Sequence, residues 1–197
     1  MPRMVSSSKS TRKDAITAAA ARLFREKGYP ATGMRDLARH VGVEAASLYN
    51  HIGSKAELLQ LICMRIAADF TAQLAQMEAD TRRNSIEKVE AIVRFHVRMW
   101  VDRLDEVLVA TSESRNLEEP FLSQFLQERR QYVRRLENII DAGIRAKEIR
   151  PIEPYVVVLT LMSAVRGIEF WHRTRKNVSA QQLEESMVTN LVAGLRI

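Results

Sequence analysis

"LARHVGVEAASLYNHIGSKAELL", residues 37–59, places three small residues directly before a cluster of hydrogen-bonding side chains on what reads as one short helix. Ala38, Gly42 and Leu48 stand at offsets of 0, 4 and 10 within it. Two helices meeting at an angle need a small residue where they touch and a glycine free to take positive φ at the turn. They also need an apolar residue on the second helix that points back into the angle. All three stand at the required spacing, which predicts a helix-turn-helix. On the second helix, Ala45, Ala46 and Ser47 form a face slim enough to enter a major groove. Tyr49, Asn50 and His51 follow with donors for phosphates and base edges, and asparagine is the natural bidentate partner of adenine. Lys55 falls in the first turn of the next helix, where outward-facing amides already favour an anion. Each side chain also has a plainer reading: Tyr49 packed on the first helix, and Asn50, His51 and Lys55 as solvated surface.

Outward from this stretch the chain reads as helix. Ile16, Ala20, Leu23 and Phe24 line one face of a first helix that stops at Gly28, and a second runs over 34–41, capped by Thr32 or Gly33. The third covers 45–52. Ser54 and Glu57 make a capping box that opens a long fourth helix, with Leu59, Ile62, Ile66, Phe70, Leu74 and Met77 on its apolar side. Asn84 and Glu87 open a fifth, and helices over 106–116 and 121–146 follow. Residues 155–173 are apolar on nearly every face and read as one buried helix; Ser179 and Gln182 cap the last. Seven glycines and five prolines in 197 residues agree with an all-α fold of about nine helices.

Charge adds a direction. Residues 1–60 hold ten Lys/Arg and five Asp/Glu, a net of +5, whereas the remainder holds twenty and nineteen, a net of +1. A basic end suits a polyanion; a soluble domain with a basic tail is the alternative that charge alone leaves open. The single cysteine, Cys63, fits a reducing compartment. The N-terminus has no apolar leader, and the longest apolar run, "YVVVLTLMSAV", is 11 residues, short of the ~20 that cross a bilayer. A cytoplasmic protein without a membrane is expected. His40, His51, His96 and His172 lack metal-ligand spacing, and neither a glycine-rich phosphate loop nor a serine elbow occurs. No catalytic, metal or cofactor residue is assigned, and an enzyme is not expected.

"ATGMRDLARHVGVEAASLYNHIGSKAELL", residues 31–59, resembles the DNA-binding signature of tetracycline-repressor (TetR) family regulators, and the match extends back through "RLFREKGYPAT", residues 22–32. The resemblance implies that Thr32, Ser47, Tyr49, His51 and Lys55 hold phosphates, while Ala45, Ala46 and Asn50 face bases. Arg35 is added as a neighbouring cation. Glu44 departs from the family's usual Ser or Thr cap, and Ile52 replaces an aromatic residue. The resemblance also implies a division into a DNA-binding part, residues 1–56, and a helical effector-binding and dimerisation part, residues 57–197.

One helix-turn-helix reads few base pairs. A homodimer on palindromic double-stranded operator DNA is expected, its recognition helices about 34–36 Å apart or a multiple of that. Val158, Met162 and Val165, with Leu183, Met187, Leu191 and Leu195, are the candidate interface, a four-helix bundle from two subunits; an internal core helix is the alternative. The resemblance places an effector pocket among helices five to eight. Its candidates are Phe95, His96, Met99, Trp100, Phe125, Arg129, Tyr132, Met162, Arg166, Trp171 and His172, all of which also suit an ordinary core or a solvated face. "ERRQYVRRLENIIDAGIRAKEIRPIEP" and "GIEFWHR" resemble members that sense acyl-coenzyme A thioesters. An acyl-CoA that releases a repressor is therefore the expected effector. A lipophilic drug is the alternative, and an architectural DNA binder is the rival from another class.

Overall fold

The computed structural model describes residues 12–174 and 178–196. Among them lie ten α-helices and no strand: α1 (Arg12–Lys27), α2 (Met34–Val41), α3 (Ala45–Tyr49), α4 (Lys55–Ala79), α5 (Ser85–Asp102), α6 (Leu104–Ser112), α7 (Phe121–Arg145), α8 (Pro154–Arg166), α9 (Ile168–Thr174) and α10 (Ala180–Ala193). A short 3-10 turn, Ser114–Asn116, follows α6.

The turn between α2 and α3 forms as its sequence requires. Gly42 takes φ 74°, and the Val43 amide donates to the Ala38 carbonyl at 3.0 Å, closing the end of α2. Ala38 and Leu48 are both buried, and the two helices pack on each other, with α2 against α1. The third helix is shorter than expected, ending at Tyr49 and not at Ile52, although the Ile52 amide still reaches the Leu48 carbonyl. At the start of α4 only half of the expected capping box forms. Ser54 Oγ accepts the Glu57 amide, but the Glu57 carboxylate turns away to the Gly53 amide at 2.7 Å and Lys13 at 2.9 Å. A cation on α1 outcompetes the neutral amide of Ser54.

Helix α4 packs on α1, α5, α6 and α7 and carries one continuous core from the helix-turn-helix into the rest of the chain. The boundary expected at residue 56 thus falls inside an unbroken helix. Gly143 fixes another crossing. A β-carbon there would stand 2.6 Å from Ile149 Cδ1 and 2.7 Å from Ser85 Cβ, so only glycine lets α7 approach the start of α5.

Residues 155–173 do not form one buried helix. The chain breaks at Gly167 into α8 and α9, which accounts for ten helices in place of nine. Three of the seven expected interface residues are already covered within the protomer. Val158, Val165 and Leu195 are buried inside the protomer, where α8 packs on α5 and α7 and α10 packs on α5. Leu183, Met187 and Leu191 are half-buried against the same core. Tyr155, Val156, Leu159 and Phe170 are the large apolar side chains left exposed on α8 and α9. A run that is apolar all round does not reveal which side its own subunit covers. Two stretches, Lys55–Ala79 and Pro154–Thr174, are long and apolar enough by composition to cross a membrane; here α4 is a core helix and the second stretch is bent at Gly167.

Candidate functional site

Leu48 and Ile52, both essentially inaccessible, pin α3 to the body and leave its other face in water. Ala46, Ser47, Asn50 and His51 are exposed, Tyr49 is 53% exposed, and Ala45 is half-buried. Arg35 on α2 is exposed close by in sequence. Lys55 lies across the turn after α1: its Nζ donates to the Tyr29 carbonyl at 3.0 Å and stands 4.3 Å from the centroid of the Tyr29 ring. That holds a cation at the first turn of α4, where free amides already attract anions. Glu44 is exposed and gives α3 no side-chain cap, so its carboxylate stays free beside the recognition face.

Thr32 does not join this set. It is buried, and its hydroxyl donates to the Gly28 carbonyl at 2.9 Å. The carbonyls at the end of a helix need donors, and Thr32 is folded back to supply one.

A cavity of about 300 Å³ opens between α4, α5, α6, α7 and α8. His96, Trp100, Phe125, Arg129, Tyr132, Met162 and Arg166 line it, as expected of them. Four candidates do not. Phe95 lies behind the wall, edge-on to Phe70 with ring centroids 5.3 Å apart, and Met99 is buried in the core. Trp171 packs against the core from α9, its buried Nε1 without a hydrogen-bond partner among the described residues. His172 reaches the Trp100 carbonyl at 3.0 Å and faces a separate polar cleft with Arg22, Arg25 and Asp105. Met162, also expected at the subunit interface, belongs to the cavity wall.

The expectation of a pocket among helices five to eight named no lining residue on α4 or α6, which contribute Ile66, Phe70 and Thr71, with Val107, Ala110 and Thr111. Their periodicity marks them as apolar, but nothing local separates a core position from a cavity wall.

The wall is polar at its buried side and charged at its exposed side. His96 Nε2 and Tyr132 Oη are 2.6 Å apart, with the Phe70 ring 4.5 Å from the imidazole. Burial pushes His96 down to about 3, so it is neutral at physiological pH, and burial raises the Tyr132 hydroxyl. Arg129 and Arg166 are exposed and form no ion pair among the described residues, although half-buried Glu128 shares the wall. Arg129 lies 5.9 Å from the Phe125 ring centroid. Arg130 and Arg134 likewise lack carboxylate partners, whereas Arg135 is committed to Glu78 at 2.5 and 2.9 Å.

Residues 16–62 match the bacterial regulatory proteins of the tetR family, and residues 82–195, more than half of the chain, match the tetracyclin repressor-like C-terminal domain. The chain is 22% identical over 188 residues to the HTH-type transcriptional repressor KstR2 of Mycolicibacterium smegmatis, covering 94% of this chain and 91% of that protein. It superposes on the ketosteroid transcriptional regulator KstR2 of Mycobacterium tuberculosis with a TM-score of 0.86 at 21% identity, over 98% of this chain and all of the other. AibR, solved in complex with isovaleryl coenzyme A and operator DNA, gives a TM-score of 0.78 at 26% identity, covering 92% of this chain and 98% of that one.

Proposed function

The chain belongs to the tetracycline-repressor family, and on that premise we propose that it is a repressor which binds palindromic operator DNA as a homodimer and leaves it on binding a coenzyme A thioester. The observation that carries the effector is the wall of the cavity. An apolar interior framed by Phe70, Trp100 and Phe125 suits an acyl group, and two exposed arginines without ion pairs, Arg129 and Arg166, suit phosphates. AibR, similar over nearly its whole length, was solved with such a thioester and its operator.

On the DNA side, Ala45, Ala46 and Asn50 meet base edges, while Arg35, Ser47, Tyr49, His51 and Lys55 hold phosphates. Their exposure on a helix anchored by Leu48 supports this reading. The second subunit packs against the exposed side of α8 and α9, where Tyr155, Val156, Leu159 and Phe170 stand uncovered. Such a protein acts in the cytoplasm as a regulator and not as an enzyme. Residues 1–56 serve DNA, and residues 57–197 serve the effector and the dimer.

Release follows from linkage: a ligand shifts the dimer only by its difference in affinity for the two states. Helix α4 is one lever, since it runs from the recognition unit to the cavity wall, and α6 supplies a second. Its Val107, Ala110 and Thr111 line the cavity, and Asp105 at its start pairs with Arg25 of α1 at 2.6 Å. Arg103, just before α6, pairs with Asp69 of α4 and Glu106. A ligand that shifts α6 therefore pulls on both helices that frame the recognition unit.

The test begins by selecting bound duplexes from random DNA, which should yield a palindrome. Titration of that complex with coenzyme A thioesters should then lower operator affinity. No change at saturating thioester removes this effector class. Arg129→Gln with Arg166→Gln separates a thioester from an uncharged lipophile, whose binding would not change.

A further inference from the structure

The buried pair at the inner wall has no structural necessity. Two polar groups facing each other in an apolar wall can be replaced by apolar groups of the same shape at little or no cost in stability. Here they face a cavity and are not fully used. Tyr132 Oη makes one hydrogen bond, to His96 Nε2. If the imidazole donates, the phenol hydrogen is left over; if the phenol donates, an oxygen lone pair is left over. In both arrangements one hydrogen-bonding function of the Tyr132 oxygen remains for whatever fills the space.

Resting on the acyl-CoA reading above, we infer that the acyl part of the effector carries an uncharged oxygen, a hydroxyl or a ketone, remote from the thioester and bound by Tyr132 with His96 behind it. Most of the rest of the lining cannot take that role. Ile66, Phe70, Val107 and Phe125 offer no hydrogen bond to a buried oxygen of the acyl group, and the Thr111 hydroxyl is engaged with the Val107 and Leu108 carbonyls of its own helix. The Trp100 indole N–H only donates, and Thr71 and Ser163 add hydroxyls from α4 and α8, so Tyr132→Phe is the variant that tells the Tyr132 oxygen from these. The arginines that suit an anion are exposed, while His96 and Tyr132 are buried. An ionised group at the buried end would lose its hydration opposite two neutral partners. A hydroxyl satisfies either proton arrangement of the pair, and a ketone satisfies the one in which the imidazole donates to Tyr132 and leaves the phenol hydrogen free. The anionic head and the uncharged oxygen thus sit at opposite ends of one ligand, which fixes its direction in the cavity.

Three thioesters test this: cyclohexanecarbonyl-CoA and its 4-hydroxy and 4-oxo derivatives, titrated by calorimetry into the full-length wild-type protein and Tyr132→Phe. In wild type, at least one oxygenated thioester should bind about fivefold to tenfold tighter than the parent. In Tyr132→Phe that preference should vanish. Equal binding of all three by wild type overturns the inference and leaves the thioester reading standing. A preference that survives Tyr132→Phe also overturns it. Binding of none of the three overturns the thioester reading, and the inference with it.

Discussion

Between Gly42 and Gly53 the side chains meant for a partner mostly stand in water, whereas between α4 and α8 most of the corresponding side chains are buried or half-buried, Arg129 and Arg166 excepted. The recognition helix needs the body of the protein only to hold it still: Leu48 and Ile52 supply that, and Tyr49, Asn50 and His51 are free to meet a rigid external surface. The cavity is the reverse. No single element makes it, and each of its groups acquires meaning from groups on other helices, as His96 of α5 does from Tyr132 of α7 and Phe70 of α4. An exposed site is a local property of the chain, and a cavity is a property of the assembly of helices.

The contrast is most exposed to failure at Leu48. Leu48→Ala removes the side chain that seats α3, and a truncation of this kind costs about 2–5 kcal/mol. Operator binding should be lost while thioester binding persists in folded protein; an operator complex that survives unchanged would mean that α3 is held by something else. Asn50→Ala probes the exposed side of the same helix. It should weaken operator binding by about 1–3 kcal/mol and relax the preference at one base pair, with no change in melting temperature, and equal weakening on all sequences would make Asn50 a phosphate contact.

A change of pH tests the buried side. The unfolded chain protonates His96 near 6.5, but the folded chain keeps it neutral down to about 3. The unfolded state therefore binds more protons below 6.5, and stability falls as pH drops through this window. The loss is about 2 kcal/mol between pH 6.5 and 5. Urea midpoints at pH 7 and 5 should show this slope in wild type and a smaller one in His96→Gln; identical slopes would place the imidazole in contact with water. Thr32→Val is the mildest test. It should lower stability by about 1 kcal/mol through the lost hydrogen bond to Gly28 and leave operator affinity of the folded protein within about twofold. A large affinity loss would return Thr32 to the DNA interface.

How much could be read in advance follows the same division. The turn at Gly42, the burial of Leu48 and the caps at Asn84 and Ser179 were legible because each depends on residues within a few positions of one another. The capping box at Ser54 failed for the opposite reason, since Lys13 lies far away in sequence and still captures Glu57. Thr32 was assigned by motif to phosphate and by folding to the end of α1. Seven of eleven cavity candidates line the space, but Phe70 was read only as part of the apolar side of α4 and Val107 was not singled out. Val158 and Val165 were assigned to the interface and are covered within the subunit, because residues 155–173 are apolar in every direction.

The sequence by itself determined the eleven-residue geometry from Ala38 to Leu48, the helical class of the chain, and the exposed donors that follow, because helix periodicity, glycine conformation and capping act over one or two turns. Tertiary structure alone decided which apolar residues enclose a cavity, which carboxylate each arginine finds, and which side of α8 remains open. Those outcomes depend on how helices distant in the chain compete for the same partners, and periodicity within one helix carries no information about its neighbours.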